Sequence, residues 1–125
     1  MKNYYDLFVD LSLQQCTKDD YQNKLKVKSH NVAIKKLQKL QGEMKKMNCI
    51  EVLDLLLLHE DDRVKINAAS LCLQMGVFVD KAIRILEQII KLSNDSTLSF
   101  SATILLKSYQ NDQNHFLKGR KGGTT

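Results

Sequence analysis

The stretch IEVLDLLLLHEDDRVKINAASLCLQM, residues 50–75, decides the fold of this chain. An apolar run from Ile50 to Leu58 meets the acidic cluster Glu60-Asp61-Asp62, and a second apolar pattern follows. Carboxylates suit the first turn of a helix, where unpaired N–H groups and the macrodipole favour negative charge. The stretch therefore reads as a helix, a tight turn and a second helix capped by acid. Counted from Val64 on a 3.6-residue wheel, Ala68, Leu71, Cys72 and Met75 share one face, while Ile66, Ala69 and Leu73 lie nearly opposite. A helix apolar on two faces lies between neighbours. Its polar stripe is narrow: Arg63, Asn67, Ser70 and Gln74.

Outward from this pair the chain keeps the same character. With 125 residues it makes one domain, able to bury about two-thirds of its unfolded surface. Proline is absent and glycine scarce before the tail, so helices run uninterrupted, and no period-two run long enough for a strand occurs. Residues 4–16 set Tyr4, Leu7, Phe8 and Leu11 at i, i+3, i+4 and i+7, a first helix. Thr17-Lys18-Asp19-Asp20 supplies a start signal for a long second helix over 20–47, whose core stripe is Ala33, Leu37, Leu40, Met44 and Met47. Lys24, Lys28, Lys35, Lys39 and Lys46 gather on another side of it. Gly42 marks either a close packing contact or an early end. After Gly76, residues 78–92 turn Val79, Ala82, Ile83, Leu86, Ile89 and Ile90 inward. Asn94-Asp95-Ser96-Thr97 then caps a sixth helix that runs to about Tyr109. The tail, residues 111–125, is basic and glycine-rich, a composition that predicts disorder.

The last two helices repeat the central pair at an offset of 34 residues. Val52 aligns with Leu86, Leu55 with Ile89, Leu56 with Ile90, Asp61 with Asp95, Val64 with Leu98, Ala68 with Ala102 and Leu71 with Leu105. A helix–turn–helix period in this range predicts a short α-solenoid, each pair burying its face on the next. The segment LLLLHEDDRVKINAASLCL resembles the HEAT-type repeat, through the turn Asp61, then Val64, the base Lys65, and Ala68 and Ala69. The second copy keeps Asp95 and Ala102, with Ser99 at the basic position. Residues 4–110 as a whole are similar to a family of small bacterial HEAT-like proteins, with Asn31 in HNVAIKKL ahead of the LLxHxDxxV segment. That resemblance implies an all-α fold, a short right-handed α-α superhelix of about six helices in a single domain over 1–110. Small proteins of this type also resemble some toxin-immunity proteins, which implies a toxin domain as the partner.

No residue set spells a reaction. Consecutive carboxylates on a helix diverge by about 100° each, so Glu60, Asp61 and Asp62 do not converge on an ion. His30, His59 and His115 lack the i, i+4 spacing of a metal-binding helix, and no glycine-rich loop precedes a helix. Enzyme activity, metal and cofactor are therefore not expected. Cys16, Cys49 and Cys72 are widely spaced and odd in number, the Tyr4-Tyr5-Asp6 start interrupts any signal-peptide core, and no apolar run spans a bilayer. A cytoplasmic protein is expected, with no membrane partner. The net charge of +5 is uneven, since residues 1–47 hold ten lysines against five acids and residues 50–110 hold six bases against eight acids. Such asymmetry steers partners.

The expectation is a non-enzymatic protein-binding domain, an immunity protein that neutralises a toxin. It would dock its partner on the polar stripes of the second helices, Arg63, Asn67, Ser70 and Gln74 with Thr97, Ser101 and Ser108. The alternatives are a nucleic-acid-binding helical repeat using the strip Lys24, Lys28, Lys35, Lys39 and Lys46, or a self-associating scaffold.

Overall fold

A computed structural model describes residues 3–15 and 23–124, with side chains as far as residue 112. Six helices follow one another: α1 (Tyr4–Leu13), α2 (Lys24–Met47), α3 (Ile50–Leu57), α4 (Asp62–Met75), α5 (Val79–Leu92) and α6 (Ser96–Thr124). No strand occurs among the described residues. The Thr17–Asp20 start signal lies outside them; α2 is capped by Asn23, whose side chain accepts from the Leu25 and Lys26 N–H groups. The helical backbone of α6 runs past Tyr109, where the apolar pattern ends.

The helices pack within the pairs α1/α2, α3/α4 and α5/α6, and α4 also touches α1, α5 and α6. Its sequence explains why. Val64, Ile66, Ala68, Ala69, Leu71, Cys72 and Leu73 are all buried, which is half of the helix and covers both faces. The two alanines let neighbouring backbones come close. Around α4 the core collects Phe8 of α1, Leu37, Leu40 and Met44 of α2, Leu53, Leu56 and Leu57 of α3, Ala82, Leu86 and Ile89 of α5, and Ala102 of α6. Met47, expected on the core stripe of α2, is 66 % exposed. The helix ends there, and Asn48 in the left-handed conformation turns the chain away.

The 34-residue correspondence takes a definite form at the turns. Asp61 caps α4 by accepting from the Arg63 N–H at 2.8 Å, and Asp95 caps α6 by accepting from the Thr97 N–H at 2.9 Å. Two residues earlier, His59 Nδ1 accepts from the Asp61 N–H and Ser93 Oγ from the Asp95 N–H. Ala68 and Ala102 are both fully buried. The first helices of the two pairs do not keep that register. Leu55 is 57 % exposed where Ile89, aligned with it, is 4 % exposed. In α3 the buried positions are Leu53, Leu56 and Leu57, and the first two match Leu86 and Ile89 of α5 at an offset of 33. Turn length does not account for this: 58–61 separate α3 from α4 and 93–95 separate α5 from α6, and the longer first turn would move the register the other way. Each of α4 and α5 is followed or preceded by backbone at positive φ, Gly76 at 71° closing α4 and Phe78 at 49° opening α5.

Candidate functional site: the groove between α2 and α4

The polar stripe of α4 divides into two halves with different work. Arg63 and Asn67 belong to the interior joint with α1. The Arg63 guanidinium donates to the Leu13 carbonyl at 3.0 Å and the Gln15 carbonyl at 2.9 Å, and forks onto both carboxylate oxygens of Asp61 at 3.0 and 2.9 Å. Those carbonyls lie at the C-terminal end of α1, where a helix leaves acceptors unpaired and its dipole favours a cation. One arginine therefore fastens α1 to the turn before α4. Asn67 Nδ2 donates to Ser12 Oγ and to Gln15 Oε1, both at 2.9 Å. Ser12 is wholly buried, and no buried polar side-chain atom is left without a partner among the described residues. The hydrogen bond from Arg63 holds the Asp61 carboxyl below the usual carboxylate range, against the opposing pull of partial burial.

The other half of the stripe opens on a groove. Ser70 and Gln74, with Asn67 at the boundary between the two halves, form one wall, and Ile34, Leu37, Gln38, Gln41, Gly42 and Lys45 of α2 form the other; the groove holds about 430 Å³. On α2 the positions 34, 38, 41 and 45 follow helical spacing, so they make one stripe between the buried face and the lysines. Gln74 Nε2 donates to Ser70 Oγ across one turn at 3.1 Å. Gln38 and Gln41 make no hydrogen bond among the described side chains. Gly42 neither packs closely nor ends the helix. A methyl group placed on it would meet no atom within 4 Å, and α2 continues to Met47. A glycine inside a helix costs about 1 kcal/mol against alanine, and no contact among the described residues offsets that.

The remaining expected site residues lie apart from the groove. Ser101 and Ser108 are exposed on α6, Thr97 is half-buried in its first turn, and none of the three lines the groove. Lys24, Lys28, Lys35, Lys39 and Lys46 are all exposed and make no ion pair among the described residues. On the helical wheel this strip flanks the groove stripe on the side away from the core. Groove rim and lysine strip are thus adjacent faces of one helix. Sequence reasoning missed Gln38, Gln41, Gly42 and Lys45, because attention to leucines and lysines passes over a neutral stripe between them. The i, i+4, i+7, i+11 recurrence of 34, 38, 41 and 45 was the available signal.

Among the described residues no three His, Cys, Asp or Glu side chains group to hold a metal ion. The Cys72 thiol is buried and pushed up to about 12, chiefly by desolvation, so it stays protonated. His30 is half-buried, and burial lowers its pKa. His59 serves the turn. No helix among the described residues is long and apolar enough to cross a membrane. Compared with known protein families, with curated proteins and with solved structures, the chain matches none.

Proposed function

We propose that this chain is a non-enzymatic protein-binding domain, a short right-handed stack of HEAT-like helix pairs whose partner docks in the groove between α2 and α4. The observation that carries the reading is Gly42 on the groove wall: it weakens α2 and leaves a space that no atom of the described residues fills. The resemblance to immunity proteins supplies the class of partner, a toxin domain, and the free thiols of Cys49 and Cys72 accord with a cytoplasmic setting. The test is affinity capture from the host with the wild-type chain and with a Ser70→Arg, Gln74→Arg variant, followed by mass spectrometry. Both residues line the groove and neither is buried, so the variant should fold as wild type and lose the partner. Retention of the same partner by the variant would end the groove reading.

One observation favours a second reading, nucleic-acid binding: the lysine strip is exposed and makes no ion pair among the described residues. Against it, no aromatic side chain lines the groove on which bases could stack. Reversing Lys28, Lys35 and Lys39 to Glu separates the two. For a nucleic-acid complex the log–log salt slope should shrink by roughly three units.

A further inference from the structure

The groove runs along α2 from Ile34 to Lys45, roughly 16 Å at 1.5 Å per residue, which about five extended residues span. An extended segment keeps its main-chain N–H and C=O groups free to pair with the lining, whereas a helix has already paired its own.

The lining says what the groove recognises. Gln38, Gln41 and Gln74 each carry an amide, which offers a donor and an acceptor side by side and so pairs with peptide N–H and C=O groups. Gly42 lies in the lining without a side chain, and such a position suits the close approach of a main chain. Lys45 sits in the lining itself, and the strip of exposed lysines borders it on α2. Glu43 is the one acid in α2 against eight lysines, and no carboxylate lines the groove. The field in the groove is positive.

From these observations we infer that the occupant is an extended, acidic segment of a protein. Its main chain passes over Gly42 between the glutamine amides, and its carboxylates meet Lys45 and the neighbouring lysines. This rests on the proposed docking function and specifies its ligand.

The probe is a random heptapeptide library displayed on phage, panned on the full-length chain, with a dT oligonucleotide as a separate ligand. Selected peptides should be rich in Asp and Glu. Their affinity should fall at least about tenfold, or 1.4 kcal/mol, on Gly42→Leu, and fall again with Lys45→Glu. Gly42→Leu puts a side chain into open space and replaces a poor helix former, so it should melt no lower than wild type, and lost binding cannot be blamed on lost folding. Four results would overturn the inference. Enriched peptides without carboxylates that still depend on Gly42 would refute the acidic occupant and leave the groove standing. Peptides bound equally by Gly42→Leu would refute the groove as well. An absence of enrichment, with a protein still captured from the host through Ser70 and Gln74, would refute the extended segment alone. Binding of the oligonucleotide with no peptide selected would transfer the lysines to nucleic acid.

Discussion

Arg63 is the residue whose placement changes most between sequence and structure. On the wheel it heads an exposed stripe; in the fold it spends its guanidinium on two α1 carbonyls and the Asp61 carboxylate. Replacing it by methionine should cost about 2 kcal/mol in a urea melt, within the range for hydrogen bonds to charged groups. Lysine should restore only part, because a point charge cannot reproduce the planar fork. Asp61 carries a pH signature of the same joint. Its folded-state pKa is lowered, first by the Arg63 hydrogen bond, so its contribution to stability is present above the unfolded value near ~3.9. That contribution is lost as pH falls through the depressed folded value. The gap in melting temperature between wild type and Asp61→Asn should accordingly close as pH drops below about 4. A constant gap down to the acid limit would remove Arg63 from the account. The cap itself was legible, since Asp ahead of an apolar run has a local cause. The partners of Arg63 were not, because Leu13 and Gln15 lie some fifty residues away and only the tertiary fold brings them near.

Among the elements, α4 and α2 make opposite demands. Both faces of α4 are buried, as its two apolar arcs predict, and Ala68 is fully buried in the core. Ala68→Asp should abolish the cooperative melt, since an uncompensated buried charge costs several kcal/mol, comparable with total stability. For α2 the expectation runs the other way. Gly42→Ala should raise the melting temperature by several degrees, as a gain of about 1 kcal/mol does in a domain of this size. A fall would mean that an unseen neighbour needs the space. Element boundaries were largely readable from caps and periodicity, down to the paired aspartates of the two turns. The one-residue shift between α3 and α5 was not readable. Leucine fills positions 55 to 58 without a break, so no apolar-to-polar contrast marks which of them face inward.

At the scale of the molecule, charge and shape combine. The lysine-bearing helix forms one wall of the groove, and the more acidic remainder of the chain supports the other. Reversal of Lys28, Lys35 and Lys39 should slow partner association by about tenfold at low salt, with a smaller effect on dissociation, because exposed charges act mainly on encounter. Stopped-flow traces at two ionic strengths would show it; an unchanged association rate would detach the strip from docking.

The two walls are also anchored unequally. α4 is held by α1, α3, α5 and α6, whereas α2 packs chiefly on α1. Backbone amides of α4 should therefore exchange with deuterium only when the whole domain unfolds. Those of α2 should exchange through a cheaper, partial opening. The groove is a vice with one stationary jaw and one that yields. Ligand capture should register as slowed exchange along α2 and almost nowhere along α4.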